Sequence, residues 1–222
     1  MLYTDVIEIS HDLNKTLQAE TYQEIVRKFF KIGGHETPRF PIKPSPAADA
    51  LLGRLPPARF KIALCVKGTF PLKTWSKEYF AEVVRELRRS YDAAFFIVGA
   101  PNDRACADEV ISAIGGGVEN FCGETSLTDL AELFRRADLF ITVDTGATHI
   151  AATTGVKMVT MYGCTSPDRW HPINPNAVAL TSREPCCPCT CKAEECPTYP
   201  KPACLQNVTP AQVIDAAKNF LG

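Results

Sequence analysis

The sequence lacks the features that would place it at a membrane, in a secretory route or on nucleic acid. No apolar run approaches the roughly 18 residues that a membrane-spanning helix needs. Residues 1–5 have neither the basic region nor the apolar core of a signal peptide. Neither sign of charge is in excess, because 24 basic residues face 25 acidic ones, and this disfavours broad electrostatic binding of nucleic acid. We therefore expect a cytoplasmic protein with at most peripheral membrane contact and no nucleic-acid partner.

Two motifs of well-known enzyme classes are also missing. No G-x-G-x-x-G follows the first predicted strand, which disfavours a nicotinamide- or flavin-binding domain. The triplet Asp144-Thr145-Gly146 occurs in aspartic proteases, but those enzymes need a second such carboxylate to share a proton. The chain has no second Asp-Thr-Gly or Asp-Ser-Gly, so a protease is rejected.

What the sequence does contain is a regular alternation of strand and helix patterns from residue 61 onwards. The apolar runs predict strands at residues 62–66, 94–98, 118–121, 139–143, 157–161 and 177–180. Helices are predicted between them, starting at Ser76, at Asn102 or Asp103, at Ser126 or Thr128, and at Thr209. Such alternation predicts an α/β fold with a doubly wound, Rossmann-like parallel sheet.

The preceding residues follow another pattern. Residues 11–31 predict one amphipathic helix, and residues 35–59 read as a proline-rich linker with a short helix near residues 47–55. The apolar stripe of the first helix has no core of its own, so we expect it to be exposed, docked on the following domain or buried in an oligomer contact. The stripe consists of Leu13, Leu17, Tyr22, Ile25, Val26 and Phe29.

The stretch from Leu139 to Gly155 is the main candidate for a ligand site. An apolar run ends at Asp144-Thr145-Gly146, and a small-residue helix follows. A strand that leads into a helix through a tight turn presents backbone N–H groups at the carboxyl end of the sheet, which suits a phosphate. The alternative is that Asp144 only caps the helix.

The loop after the first predicted strand offers a second phosphate-binding candidate. Thr69 and Lys73 place a hydroxyl and an ammonium four residues apart next to a predicted helix start. Both groups can hold phosphate oxygens, and parallel strands bring this loop to the same sheet edge as Asp144.

Cysteines are unevenly distributed. Six of the ten lie in one proline-rich stretch, at Cys186, Cys187, Cys189, Cys191, Cys196 and Cys204. In a reducing compartment such a cluster suggests metal more than disulfides, but the spacing is not the pair of C-x-x-C motifs of a zinc site. A metal site remains open, while a local staple made by packing or by adventitious disulfides is favoured.

Together these motifs resemble glycosyltransferase family 9, the heptosyltransferases of the lipopolysaccharide inner core. The matching features are Lys73-x-Trp75, Val98-Gly99, Gly123-x-x-Ser126-Leu127, Asp144-Thr145-Gly146-x-x-His149-x-Ala151-Ala152 and Tyr162-Gly163-x-Thr165-x-Pro167. The resemblance covers residues 60–222, and residues 1–33 resemble the last helix before the interdomain linker of that family.

The resemblance implies the carboxyl-terminal half of a GT-B enzyme, the half that binds the donor ADP-heptose. Residues 60–222 would form this domain, and residues 1–59 the last helix of a missing amino-terminal domain plus the linker. By position, Thr69 and Lys73 would hold the diphosphate, and Asp103 and Thr125 would contact the ribose and adenine. Thr145 and Gly146 would offer hydrogen bonds to phosphate at the turn, and Ala147 would also belong to the donor site. Asp144 and His149 would face the sugar and diphosphate. Thr125 replaces a larger apolar residue of some members.

The implied chemistry is inverting transfer of heptose to a lipopolysaccharide core acceptor, without cofactor or metal. Lys73 would stabilise the charge that grows on the leaving diphosphate. In the family the base lies in the amino-terminal domain, so we expect donor binding without transfer, in the cytoplasm and at the inner face of the inner membrane.

Two alternatives remain open on the sequence. One is another GT-B sugar-nucleotide enzyme, such as an epimerase or a transferase that uses a UDP or GDP sugar. The other is a non-catalytic nucleotide-binding module with a metal site in the cysteine cluster.

Overall fold

The computed structural model describes residues 6–13, 15–34, 42–182, 184–189, 195–198 and 201–222. Its strands are β1 (Phe60–Cys65), β2 (Ala93–Ile97), β3 (Val118–Asn120), β4 (Leu139–Val143), β5 (Met158–Tyr162) and β6 (Ala177–Thr181). Its helices are α1 (Gln18–Phe30), α2 (Pro46–Leu52), α3 (Lys77–Ser90), α4 (Arg104–Ile114), α5 (Leu127–Arg135), α6 (Gly146–Ala152), α7 (Pro167–Trp170), α8 (Ala203–Gln206) and α9 (Pro210–Leu221), with short 3-10 turns at Pro71–Lys73 and Pro101–Asp103.

The six strands form one parallel sheet in the order β3-β2-β1-β4-β5-β6. Ile62 in β1 stands opposite Phe95 of β2 on one side and Leu139 of β4 on the other. The strand order reverses between β1 and β4, and in such sheets ligands bind in the crevice outside the carboxyl ends of the strands at this point. The predicted doubly wound α/β fold is confirmed, and β4 has the bounds that its apolar run predicted.

Helices cover both faces of this sheet because side chains alternate along each strand. Ile62 and Leu64 point into the core with α3, α4 and α9. Ala63 and Cys65 point to the opposite side, where α2, α5 and α6 pack. The two hydrophobic cores fix the sheet rigidly, and the loops at its carboxyl edge are therefore held at defined positions.

The first helix is shorter than predicted, because it begins at Gln18 and not near residue 11. The residues before it turn back along the helix and bond to its side chains. His11 Nδ1 lies 2.7 Å from Glu24 Oε2, and the Ser10 hydroxyl donates to Glu24 Oε1 at 2.9 Å. These contacts hold the residues before the helix beside it, and the amphipathic pattern alone did not reveal them.

The apolar stripe of α1 is exposed along most of its length. Tyr22, Val26 and Phe29 are 59%, 45% and 53% exposed. The helix touches the rest of the domain at its start, where Arg169 Nε donates to Gln18 Oε1 at 3.0 Å. No helix among the described residues is both long and apolar enough to cross a bilayer.

Helix α2 packs on the sheet although it precedes the boundary predicted at residue 60. Ser45 caps it by accepting from the Ala48 amide at 3.1 Å, and Leu51 and Leu52 are buried in the core beneath it. The predicted linker continues upstream through residues 35–41, which lie outside the described part of the chain. The position of the boundary itself stays a prediction.

Candidate functional site

A pocket of about 530 Å³ opens at the carboxyl edge of the sheet. It is formed by the loops that follow β1, β2, β3 and β4 and by the start of α6. Six of the nine predicted donor-binding residues line it, namely Thr69, Asp103, Thr125, Thr145, Gly146 and Ala147. The other three, Lys73, Asp144 and His149, are not among its lining residues.

Lys73 and Asp144 form an ion pair beside this pocket. Lys73 Nζ lies 2.6 Å from Asp144 Oδ2, and the two side chains are only 14% and 6% exposed. The Thr165 hydroxyl donates to the same oxygen at 2.7 Å, and Lys73 Nζ stands 5.0 Å from the centre of the Phe70 ring. Thr145, not Asp144, is the N-cap residue of α6, so the structure does not support a capping role for Asp144.

Contacts with the carboxyl-terminal part of the chain hold the turn that carries Lys73 in place. Leu72 is buried against Cys164 and Cys204, with Cys187, Cys189 and Cys196 packed around them. Two residues later, Trp75 is buried and its Nε1–H donates to the Val208 carbonyl at 2.9 Å.

Gly68 makes this arrangement possible by its small size. A Cβ atom at Gly68 would lie 2.3 Å from Lys73 Cβ and 2.8 Å from the Lys73 carbonyl oxygen, so only glycine fits against the turn. Gly146 is different, because a Cβ built there meets no atom within 4 Å. The space in front of Gly146 is open towards the pocket that it lines.

Asp103 is held by a lysine that the sequence analysis did not single out. Lys67 Nζ lies 2.9 Å from Asp103 Oδ1, while Asp103 Oδ2 accepts from the Ala100 amide at 2.9 Å. The hydrogen bond to Asp103 raises the pKa of Lys67, so this side chain is fully charged at neutral pH. Its position in the sequence could have indicated this role, because Lys67 directly follows the buried end of a strand, at the carboxyl edge of the sheet where ligands bind.

The loop after β3 carries Thr125 and is held by a chain of ion pairs. Glu124 accepts from Arg54 at 2.7 Å and from Arg104 at 2.8 Å. Arg104 also donates to the Cys122 carbonyl at 2.6 Å, which fixes the start of the loop. Leu127 follows at the pocket wall, where its side chain is 64% exposed. A large exposed apolar side chain next to polar groups suits a flat, partly apolar ligand such as a nucleobase.

His149 lines a different cavity of about 360 Å³, between α6, α7 and α1. Tyr22, Trp170 and Ile173 are among its neighbours there. His149 is exposed to solvent, yet the protein packed around its ring lowers its pKa by desolvation, while the charge of Asp144 acts in the opposite direction. The structure thus separates His149 from the pocket that holds Thr145 and Gly146.

Four cysteines of the cluster, Cys187, Cys189, Cys196 and Cys204, pack with Cys164 around Leu72. Burial raises the pKa of Cys164 to about 12, so its thiol is protonated at neutral pH. No disulfide joins the cysteines of the described residues, and none of the described His, Cys, Asp and Glu side chains form a group of three that could hold a metal ion. Cys191, which the sequence analysis included in the cluster, lies outside the described residues.

Comparison with known proteins places these features in a family. The model of glycosyltransferase family 9 (heptosyltransferase) matches residues 7–199. Lipooligosaccharide heptosyltransferase 2 of Campylobacter jejuni is 32% identical over 152 residues, which are 67% of this chain and 47% of that protein. Lipopolysaccharide heptosyltransferase 2 of Escherichia coli K12 is 29% identical over 122 residues, which are 52% of this chain and 34% of that protein. The chain therefore spans about half the length of the curated relatives it matches, or less.

Solved structures show the same fold. A family 9 glycosyltransferase of Veillonella parvula superposes with a TM-score of 0.74 at 22% identity and covers 95% of this chain and 61% of its own. The ADP-heptose lipopolysaccharide heptosyltransferase II of E. coli gives a TM-score of 0.66 at 22% identity, covering 83% and 53%. At this level of identity, the likeness concerns the arrangement of strands and helices.

Proposed function

The chain belongs to glycosyltransferase family 9, and from this premise we propose that the pocket at its sheet edge binds the sugar-nucleotide donor ADP-heptose. The observation that carries the proposal is the position of six predicted donor-binding residues around one pocket at the point where the strand order reverses. A nucleoside needs an apolar wall with a few polar groups, and Leu127, Asp103 and Thr125 supply them.

The diphosphate is proposed to lie between Lys73 and the turn at Thr145 and Gly146. The first amides of α6 have no acceptor within the helix and can donate to phosphate oxygens. An ammonium has three donors, and in the structure Asp144 takes one of those of Lys73, so that the remaining two can reach a phosphate. As the glycosidic bond breaks, these donors would stabilise the charge that develops on the leaving ADP.

Asp144 is proposed to face the sugar. Among the described contacts, both Lys73 and Thr165 bond to its Oδ2, which leaves Oδ1 to accept from a sugar hydroxyl. Binding of the sugar would then add a polar partner to a carboxylate that is already held in one orientation.

The reaction is proposed to be inverting transfer of heptose to the lipopolysaccharide core, with no cofactor. The acceptor hydroxyl must lose a proton to a base, and in this proposal both the base and the acceptor site lie in the remaining half of a full-length family protein. Bringing two substrates together supplies a large share of such an acceleration. We therefore expect the 222-residue chain to bind the donor and to transfer no sugar by itself.

Calorimetry with ADP tests the phosphate assignment. Lys73→Ala should weaken ADP binding by about 1.5–3 kcal/mol, the scale of a charge-assisted hydrogen bond. Lys218→Ala serves as the matched control, because Lys218 also forms an ion pair, with Glu86 at 3.0 Å, but between α9 and α3. Equal affinity of the Lys73→Ala variant and the unaltered protein for ADP would remove Lys73 from the site.

The affinities for ADP and for ADP-heptose, measured side by side, test Asp144. Asp144→Asn should keep the affinity for ADP and lower that for ADP-heptose, because only the full donor places a sugar next to this side chain. Equal losses for the two ligands would make Asp144 a structural residue that acts through Lys73.

The base specificity separates this proposal from other sugar-nucleotide enzymes. We expect ADP to bind more tightly than UDP or GDP in the same titration. Tighter binding of UDP or GDP would favour a transferase or epimerase for another sugar nucleotide. Binding of none of the three would disprove a donor pocket altogether.

A further inference from the structure

The loop after β1 sends two lysines in opposite directions across the pocket edge. Lys73 reaches Asp144 after β4, and Lys67 reaches Asp103 after β2. Since β1 lies between β2 and β4 in the sheet, each lysine meets a carboxylate from one neighbouring strand. The proposed function uses Lys73, Asp144 and Asp103, and it leaves Lys67 without a role.

Lys67 belongs to the pocket by its position. It lines the cavity together with Gly68, Thr69 and Asp103. Its ammonium lies 2.9 Å from Asp103 Oδ1 and donates to the Asn102 carbonyl at 3.4 Å. Its side chain is 34% exposed and that of Asp103 is 19% exposed, so the pair is partly withdrawn from water.

A backbone hydrogen bond holds Asp103 at the pocket independently of its lysine partner. Its Oδ2 accepts from the Ala100 amide at 2.9 Å, within the short turn that Asp103 itself ends. The carboxylate is therefore held by the turn at Pro101–Asp103 with or without the lysine. Without a cation, its negative charge would stand in the same pocket as a bound diphosphate.

We propose that Lys67 is a positioning and specificity-determining residue of the nucleotide pocket. By pairing with Asp103 it cancels the carboxylate charge that would repel a diphosphate, and it leaves Asp103 able to accept hydrogen bonds from ribose hydroxyls. The inference rests on the proposed function, since it assumes that the pocket takes a nucleoside diphosphate. Its consequence is a pocket that discriminates ADP from the uncharged nucleoside through Lys67.

The test compares the affinities for ADP and for adenosine, because their ratio isolates the effect of the phosphate charges. In Lys67→Met this ratio should fall by roughly tenfold, the scale of two unit charges about 12 Å apart at an effective dielectric constant of about 20. In the double variant Lys67→Met/Asp103→Asn the ratio should return to within about threefold of the unaltered protein, because the repelling charge is gone. Lys67→Arg keeps the charge and should keep the ratio.

The Lys218–Glu86 pair provides a matched control. Its distance is 3.0 Å and its side chains are 39% and 21% exposed, close to the values of the Lys67 pair, but it joins α9 to α3. Lys218→Met should leave the ratio unchanged. The midpoint of thermal unfolding, measured for every variant, identifies loss of fold separately from loss of discrimination.

The outcomes separate a failure of the proposed donor site from a failure of the role of Lys67. Failure of the unaltered protein to bind ADP would overturn the proposed function together with this inference. Normal ADP binding with an unchanged ratio in folded Lys67→Met would overturn the role of Lys67 alone. A ratio that falls equally in the single and double variants would also overturn it, because Lys67 would then act on the phosphate directly and not through Asp103.

Discussion

Gly146 offers a perturbation that separates ligand binding from folding. It begins α6 and lines the pocket, and a Cβ atom built there meets no protein atom within 4 Å. Its φ lies outside the left-handed region, so alanine fits the backbone without strain. A glycine-to-alanine change at such a position reduces the freedom of the unfolded chain and stabilises a protein by about 0.4–1 kcal/mol. Gly146→Ala should therefore be at least as stable as the unaltered protein.

The same methyl group should impair binding. A diphosphate that bonds to the first amides of α6 must approach the backbone at Gly146 closely, as in other glycine-containing phosphate turns. The added Cβ occupies that space, and we expect ADP affinity to fall by at least tenfold, which is about 1.4 kcal/mol. The assay is ADP titration by calorimetry combined with denaturant unfolding of the same sample.

Gly68→Ala is the contrasting variant. Its Cβ would collide with Lys73 at 2.3 Å, so the turn must move, and overpacking of this kind costs about 1–3 kcal/mol of stability. Gly146→Ala should therefore lower the affinity for ADP without lowering stability, whereas Gly68→Ala should lower both. A stable Gly146→Ala protein that binds ADP as tightly as the unaltered chain would show that the phosphate does not approach this turn.

Three further predictions concern the surroundings of the pocket. Lys73→Met should lower the free energy of unfolding by about 3 kcal/mol, because it leaves a nearly buried carboxylate unpaired, and the addition of Asp144→Asn should recover most of that loss in urea unfolding. Leu72→Ala should cost about 2–5 kcal/mol of stability by opening a cavity among the cysteines, which urea unfolding also measures. Desolvation makes the pKa of His149 lower in the folded than in the unfolded chain, so its contribution to stability is present above about pH 6.5 and is lost as the pH falls from there through the lower folded-state pKa. The free energy of unfolding should therefore be smaller at pH 5.5 than at pH 7.5, and this difference should shrink in His149→Gln.

The sheet could be predicted from the sequence because its strands are continuous apolar runs. Leu139 to Val143 is buried at every position, and such a run has few alternatives to a central strand. The start of α1 could not be predicted in this way, since the amphipathic period continues upstream of Gln18. Contacts of His11 and Ser10 with Glu24 hold the preceding residues beside the helix, and they depend on how the chain turns back on itself.

In the candidate site, residue types could be predicted more readily than their partners. The sequence indicated Lys73 and Asp144 as separate phosphate and sugar ligands, but they stand 71 residues apart and meet only because β1 and β4 are neighbours in the sheet. The same holds for Lys67 and Asp103, which β1 and β2 bring together. The division of α6 between two cavities, with Gly146 in one and His149 in the other, likewise depends on where α1 and α7 pack.

The anchoring of the Lys73 turn has a consequence for the thermodynamics of ligand capture. Leu72 is buried, Trp75 bonds to the Val208 carbonyl, and Gln206 Nε2 donates to the Thr74 carbonyl at 3.0 Å, so residues 72–75 are immobilised by a segment about 130 residues away. Ordering a loop of this kind on binding would subtract about 1–2 kcal/mol for each residue fixed. Here that entropy is lost when the chain folds. A ligand should meet a preorganised lysine and bind with little unfavourable entropy from the protein. Gln206→Ala, which removes one of these anchoring contacts, should therefore weaken binding without changing a residue that touches the ligand.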